Sequence, residues 1–209
     1  MAHPEVMREV LQNMQTREQQ DQAKADAEAT AKARAALPQL RAQLERDPHD
    51  FVANPSGRVT VTEFYDYRCP HCVNIAPKVL NLIRTNPNVR FVFKEMPIFG
   101  ATSEHAARAA LAAKAQGKDY VGLYEAFMDA HPLSDDAIDR LAAAKGVNVA
   151  LMNSPQAIAE GNAHLTATAA LAARLNINGT PGFIVGDEII PGEDFDALQA
   201  AIAKASAHS

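Results

Sequence analysis

The chain of 209 residues contains no tryptophan, and aromatic residues make up only 6% of it. Such a composition offers little for stacking nucleic-acid bases, and the net charge of −5 argues against a basic binding face, so we expect no nucleic-acid partner. The sequence has no apolar run of about 18 residues and therefore predicts no membrane insertion. Apolar residues still make up 47%, enough for one folded core with an appendage.

Cysteine is equally scarce. The two cysteines of the chain stand in one motif, Cys69-Pro70-His71-Cys72. Residues 59–67 predict a buried strand before this motif, and residues 73–84 predict a helix after it. The first sulfur would then lie at a helix N-terminus, where amide N–H groups and the helix dipole stabilise a thiolate. We predict that Cys69 is an exposed nucleophile with a lowered pKa and that Cys72 resolves the mixed disulfide.

Two other interpretations of the cysteine pair are an inert buried pair and half of a zinc site. A structural zinc site needs four ligands, and no second pair of cysteines or histidines occurs at suitable spacing. The remaining histidines are scattered, and most of them are predicted to lie on the surface: His3, His49, His105, His131, His164 and His208. Redox chemistry is therefore the favoured interpretation.

Two prolines extend the pattern beyond the cysteines. Pro77 lies inside the predicted helix, and Thr180-Pro181 precedes a short apolar strand far downstream. With these features the chain resembles the thioredoxin superfamily and, within it, the bacterial periplasmic Dsb proteins. The tetrapeptide matches the DsbA type, Pro77 falls where thioredoxins carry a kinking proline, and Thr180-Pro181 resembles the cis-proline loop of the family. The resemblance covers about residues 50–207.

The resemblance also implies roles for individual residues. His71 would favour the Cys69 thiolate, and Pro70, Thr180 and Pro181 would bind substrate in extended form beside the sulfurs. Threonine before this proline is more typical of isomerases and reductases than of the DsbA oxidase.

Glu63 falls where DsbA has a buried acid, and Lys94 resembles a lysine near that acid. Both residues are therefore candidates for proton transfer to and from Cys72, with a buried ion pair between them as the alternative. Ala76 stands where DsbA has a second acid, so we expect a simpler charge network around Cys72.

The predicted fold is α/β: a thioredoxin fold with an all-α insertion at about residues 102–176. The catalytic domain is assigned to residues 48–209, and residues 1–47 are assigned to an N-terminal helical oligomerisation segment and linker. Five residues form an apolar stripe at helical spacing near the start: Val6, Met7, Val10, Leu11 and Met14.

The rest of the N-terminal segment is predicted in two parts. Residues 15–36 form a polar connector that is helical or flexible, and residues 37–44 form a short second helix beside the main domain, with Pro38 as a break. The apolar stripe is too short to form its own core. We expect self-association, with packing on its own domain, on another protein, or a loose leader as alternatives.

In its layout the chain resembles the ScsC group of suppressor-of-copper-sensitivity proteins. That resemblance implies a homotrimeric periplasmic disulfide isomerase acting on misfolded, disulfide-bonded clients and reduced by a membrane partner of the ScsB or DsbD type. No signal peptide is visible, so a periplasmic location implies a leader already removed. The alternatives are a monomeric dithiol oxidase and a copper-transfer protein. No cofactor is required, although Cys69 and Cys72 are soft ligands suited to Cu(I).

Overall fold

The computed structural model describes residues 4–207, and a five-stranded sheet forms the centre of that part of the chain. The strands are β1 (Phe51–Ala53), β2 (Val59–Tyr65), β3 (Val89–Glu95), β4 (Gly182–Val185) and β5 (Glu188–Pro191). Their order is β1-β3-β2-β4-β5, with β2 and β3 parallel and the other pairs antiparallel. The parallel pair is joined through a helix, as the sequence predicts for a βαβ unit.

Eight helices surround the sheet in the described residues. They are α1 (Pro4–Glu45), α2 (Pro70–Thr85), α3 (Ala101–Ala115), α4 (Tyr120–Asp129), α5 (Asp135–Ala144), α6 (Val149–Met152), α7 (Pro155–Arg174) and α8 (Phe195–Ser206). Helices α3 to α7 all lie between β3 and β4, which confirms the predicted all-α insertion. Ser154 caps α7 through the Ala157 N–H, and Pro155 occupies the first turn, where its missing N–H costs nothing.

The N-terminal segment is one continuous helix of 42 residues. The predicted connector is helical, and Pro38 lies within α1 rather than between two helices, so the expected break there is wrong. The physical reason is the packing of the helical turns beyond the proline. Leu40 and Leu44 are fully buried against the domain, and their burial offsets the hydrogen bond that Pro38 removes.

The last part of α1 belongs to a second core, on the face of the sheet that Phe64 and Lys94 share, which we call the rear face. Leu37, Leu40 and Leu44 pack there with Phe64 of β2 and Leu171 of α7. Residues 33–44 of the N-terminal segment are thus integrated into the domain that we assigned to residues 48–209. The division at residue 47 stays a prediction, but removing everything before it would expose this core.

Candidate active site

The two cysteines lie where β2 leads into α2. Cys69 is the N-cap residue in an extended conformation (φ −73°, ψ 120°), and Pro70 is the first residue of the helix. The Asp66 carbonyl accepts the Cys69 N–H at 3.2 Å, which fixes the turn between strand and helix. The first-turn N–H groups of α2 therefore face the Cys69 sulfur, as the sequence predicts.

Both cysteines are buried and unpaired. Cys69 is 2% exposed and Cys72 is fully enclosed, so the expectation of an exposed Cys69 is wrong. The covering group is the loop before β4. The Cys69 thiol donates to the Thr180 carbonyl at 3.1 Å, and this contact shields the sulfur from solvent.

The environment separates the two thiols by acidity. A hydrogen bond from the Cys72 thiol, together with the Thr180 side chain and the N–H groups of Cys72 and His71, lowers the pKa of Cys69 to about 5 although burial opposes the change. Burial, the hydrogen bond to Cys69 and the charge of Glu63 raise the pKa of Cys72. Cys69 is therefore ionised at neutral pH while Cys72 holds its proton, the arrangement required of an attacking and a resolving thiol.

The predicted cis-proline loop lies directly beside Cys69. The Thr180–Pro181 peptide bond is cis, both residues are buried, and the Pro181 carbonyl accepts the Gly192 N–H at 2.8 Å. A groove of about 460 Å³ runs along this loop and β5, with Thr30 of α1 as one of its walls. Pro70, the third predicted substrate contact, is exposed at the first position of α2.

The His71 side chain has a partner that the sequence does not reveal. Its ring is largely exposed, and Nδ1 lies 3.2 Å from Oε1 of Glu193, in the turn before α8. His71 acts on the Cys69 thiolate through its backbone N–H. The imidazole is held by a carboxylate across the mouth of the site.

Glu63 has the same strand parity as Val61 and Tyr65, which pack in one core with Cys72. Its side chain is fully buried, and neither carboxylate oxygen has a hydrogen-bond partner. Burial and the nearby Glu95 raise the pKa of Glu63 to about 8, and the Tyr124 hydroxyl offsets only part of that change. A proton-exchanging acid therefore lies close to the resolving thiol, and the charge of that acid in turn raises the pKa of Cys72.

Glu95 is the functional candidate that sequence reasoning missed. Its Oε1 accepts hydrogen bonds from three buried tyrosine hydroxyls, those of Tyr65 at 2.5 Å, Tyr120 at 2.6 Å and Tyr67 at 3.1 Å. Burial raises the pKa of Glu95 to about 8 despite these donors. With Tyr124 packed on Tyr65, the cluster contains all four tyrosines of the chain.

This cluster overturns the expectation of a simple charge network. Ala76 is buried and supplies no acid, but β3 contributes the second carboxylate in the form of Glu95. The signal was present in the sequence. Side chains alternate between the two faces of a strand, and Glu95 lies two residues after Phe93 and four after Phe91 in β3. Its side chain is therefore on the same buried face as theirs.

Lys94 does not lie beside Glu63, and that prediction is wrong. It pairs with Phe64 in the register of β2 and β3, whereas Glu63 pairs with Phe93, so the two side chains occupy opposite faces of the sheet. Lys94 Nζ forms a buried ion pair with Asp50 and donates to the Gln43 carbonyl at 2.6 Å, near the end of α1. Its observed contacts are structural, because a cation at a helix C-terminus stabilises that end.

Asp66 is a second residue that the sequence analysis passed over. Its buried carboxylate accepts the N–H groups of Arg68, Ile98 and Phe99 at 2.6–3.0 Å. These bonds tie the segment before Cys69 to the loop after β3. The side chains of Ile98 and Phe99 are nearly half exposed, so the tie holds two apolar groups at the surface next to the active site.

The predicted oligomerisation stripe is only partly described. Leu11 and Met14 are 54% and 53% exposed on α1, whereas the side chains of Val6, Met7 and Val10 lie outside the described residues. Every residue from 11 to 28 is exposed. Residues 11–28 of α1 therefore do not pack against the rest of the described chain.

The histidines are less scattered than predicted. His164 is buried, contrary to expectation, and its ring lies 5.3 Å from that of the exposed His49 because α7 runs past the end of α1. His105 is half-buried against Asp139, and His131 is exposed. His3 and His208 lie outside the described residues.

A scan against protein-family models matches residues 60–203 to the DSBA-like thioredoxin domain, which is more than half of the chain. The chain belongs to this family. It is therefore a DsbA-like thiol-disulfide oxidoreductase, and the thioredoxin fold inferred from the motifs is confirmed. No helix among residues 4–207 is long and apolar enough to cross a membrane.

Solved structures and curated relatives agree with this assignment. The chain is 38% identical to a thioredoxin-like oxidoreductase from Silicibacter pomeroyi DSS-3, with a TM-score of 0.72 over 79% of this chain and 97% of that one. A linker-deleted ScsC mutant from Proteus mirabilis has the same fold over 97% of this chain and 96% of its own, with a TM-score of 0.78 at 20% identity.

The thiol:disulfide interchange protein DsbA of Bordetella parapertussis is 28% identical, over 66% of this chain and 71% of its own length. The chain also matches a Na(+)/H(+) antiporter, NhaA 3, from Salinispora tropica at 30% identity over 77% of this chain, but it spans only 26% of that protein's length.

Proposed function

We propose that the protein is a homotrimeric periplasmic disulfide isomerase. The observation that carries the proposal is the combination of a buried, ionised Cys69 beside the Thr180–Pro181 loop with a long, largely uncovered α1. An oxidase needs one domain and a disulfide. An isomerase needs a reduced nucleophile and a means of holding a client while its disulfides exchange.

The chemistry follows from the two thiols. The Cys69 thiolate attacks one sulfur of a wrong client disulfide, forming a mixed disulfide and releasing the other client sulfur as a thiolate. A second client thiolate then attacks the client sulfur, which restores the Cys69 thiolate with no net oxidation. If exchange stalls, Cys72 loses its proton and attacks Cys69, releasing reduced client and leaving a Cys69–Cys72 disulfide.

We assign to Glu63 the transfer of the proton to and from the Cys72 thiol. The Glu63 pKa near 8 lies close to the operating pH, where a side chain exchanges protons most effectively. The resulting Cys69–Cys72 disulfide takes two electrons from a membrane reductant of the ScsB or DsbD type, which returns both thiols.

The geometry of α1 supports assembly. Residues 4–28 of the helix extend roughly 40 Å at about 1.5 Å per residue. Association through Leu11, Met14 and the rest of the stripe would hold several catalytic domains around a shared space and raise the local concentration of Cys69 near a bound client. The groove beside Pro181 and the exposed Ile98 and Phe99 provide apolar contacts for an unfolded chain.

The test is a pair of substitutions on the exposed part of α1. Leu11→Glu with Met14→Glu places charges in the stripe without touching the catalytic domain, and Gln12→Glu with Gln15→Glu is the matched control at neighbouring exposed positions. We expect the first pair to give a monomer by light scattering and to lose reactivation of scrambled ribonuclease while still oxidising reduced peptides. A trimer with full isomerase activity would contradict the proposal, and a monomeric parent chain would favour the dithiol oxidase.

Cu(I) binding at the same cysteines is a second proposal. The two sulfurs interact directly, and thiolates are the soft ligands that Cu(I) selects. A bound cation would also relieve the cost of ionising the buried Cys72. Reduced protein should take up one Cu(I), and Cys69→Ser with Cys72→Ser should abolish the uptake. Unchanged affinity in that variant would contradict binding at this site.

A further inference from the structure

We propose that the protein binds a divalent transition-metal cation of the Zn²⁺ type through Asp47, His49 and His164, on the rear of the molecule. Asp47 and His49 come just after the end of α1, and His164 lies in α7. One ligand atom from each residue lies within 4.8 Å of the other two. The site shares no residue with the cysteine pair and does not depend on the function proposed above.

The distances suit such a cation. His49 Nδ1 lies 2.9 Å from Asp47 Oδ1, and His164 Nδ1 lies 3.8 Å from Asp47 Oδ2. Two ligand atoms on a tetrahedral zinc, each bonded at about 2.0–2.1 Å, are separated by about 3.3 Å. The two observed distances bracket that value, so small side-chain rotations would bring the ligands into place.

The buried histidine is oriented as metal-binding histidines are. His164 is only 8% exposed, and its Nε2 lies 3.1 Å from Oδ1 of the buried Asp50. A ligating histidine commonly donates its second N–H to a carboxylate, which fixes the tautomer and raises the basicity of the other nitrogen. Asp50 is itself held by the ion pair with Lys94.

This orientation leaves Nδ1 as the free base of the ring. If Nε2 carries the proton, the Nδ1 lone pair faces the Asp47 carboxylate at a distance too long for a hydrogen bond. Two electron-rich groups then face each other, and a cation between them would join both. This contact is the independent observation that separates the cluster from an ordinary surface group of polar residues.

The ligand set indicates the class of cation. Two imidazoles and one carboxylate favour Zn²⁺ and its neighbours over Mg²⁺ or Ca²⁺, which prefer oxygen ligands. Arg108 and Lys114 line the adjoining cavity and oppose any cation, but the Glu104 carboxylate lies 3.8 Å from Arg108 and offsets part of its charge, and Lys114 donates to the Pro48 carbonyl. That cavity of about 110 Å³ offers room for water as a fourth ligand.

A bound cation would fasten the segment after α1 to α7. The same segment carries Asp50, whose pair with Lys94 holds the rear core in place. Binding to the folded state alone stabilises it by mass action. The expected consequence is a firmer junction between α1 and the catalytic domain, without any change at the cysteines.

The test uses the full chain with Cys69→Ser and Cys72→Ser, so that no thiol can bind metal. Calorimetric titration with Zn²⁺ should show one equivalent bound, and free Zn²⁺ at 100 times Kd should raise Tm by roughly 5–10 °C. In that background His49→Ala and Asp47→Asn should each weaken binding at least tenfold. His105→Ala, which removes a histidine paired elsewhere with Asp139, should bind as the parent does.

His49 is exposed, so its loss leaves the fold intact and the comparison stays readable even if His164→Ala unfolds the chain. A parent that binds no zinc would overturn the proposal. So would equal affinity in the parent, His49→Ala and Asp47→Asn, because that result would place any bound zinc elsewhere.

Discussion

The two faces of the sheet bury charge in opposite ways. On the rear face, Lys94 and Asp50 form a complete ion pair beside the end of α1. On the front face, Glu63 and Glu95 lie fully buried behind Cys72, and among the described residues only tyrosine hydroxyls, not cations, are hydrogen-bonded to Glu95.

The difference teaches what each face does. A paired charge maintains the packing around it, since removing one partner leaves the other buried alone. Two buried carboxylates without a cation instead hold protons up to about pH 8. The front face therefore holds exchangeable protons beside a resolving thiol.

Breaking the rear pair should have the largest effect on stability. Lys94→Ala leaves Asp50 buried and uncompensated and should lower the free energy of unfolding by about 3–5 kcal/mol. The pH midpoint of Cys69 alkylation should not change, because Lys94 lies on the opposite face of the sheet. Urea denaturation measures the first quantity, with the exposed Lys118→Ala as the control. A loss below about 1 kcal/mol, or a shifted Cys69 midpoint, would remove the distinction between the faces.

The two buried carboxylates of the front face should make the free energy of unfolding fall as pH rises. Glu63 and Glu95 have pKa values of about 8 when folded, against an ordinary value of 4.5, so unfolding releases protons between those values. In a Cys69→Ser, Cys72→Ser background, which removes the opposing thiol titration, we expect roughly 3 kcal/mol per carboxylate to be lost between pH 5 and pH 8.

Glu95→Gln should flatten that dependence, as shown by denaturation across the pH range. Glu125→Gln, at an exposed carboxylate paired with Arg84, should leave it intact. An equal slope in Glu95→Gln and the parent would mean that Glu95 is ionised in the fold.

Glu63→Gln should slow resolution without affecting attack. Loss of a positioned acid–base group costs about 10²-fold or more in proton-transfer steps, so Cys72 should attack a preformed Cys69 mixed disulfide about 10²-fold more slowly at pH 7. Alkylation of Cys69 should keep its rate. Stopped-flow measurement of both steps separates them, and an unchanged resolution rate would assign the Cys72 proton to another acceptor.

The smallest effect should come from the mouth of the site. Glu193→Gln frees the exposed His71 ring from its carboxylate and should lower the pKa of Cys69 by about 0.1–0.7, the range of an exposed ion pair. Alkylation against pH gives the value. A raised Cys69 pKa would show that Glu193, rather than free imidazole, favours the thiolate.

The sequence correctly predicted features that depend on neighbouring residues. It failed where the place of a residue in the sheet decides which face its side chain occupies. The cysteine tetrapeptide at a strand-to-helix junction and Pro77 inside α2 follow from neighbouring residues, and the cis-proline loop was predicted from the family resemblance. Lys94 was misplaced because a shift of one residue along a strand moves a side chain to the other face.

Contacts over long sequence separations were beyond reach for a different reason. The hydrogen bond between Glu95 and Tyr120 joins residues 25 positions apart, and the one between Asp50 and His164 joins residues 114 positions apart. The local sequence pattern predicts neither contact. Cys69 was expected to be exposed because its motif shows the helix start but not the loop that covers it.

The most direct test of the account is the pH dependence of iodoacetamide alkylation of Cys69 in the full, reduced chain. We predict a midpoint near pH 5, set by the Cys72 thiol, the Thr180 side chain and the first N–H groups of α2. A midpoint near the free-cysteine value of about 8.5 would contradict the thiolate on which the whole mechanism rests.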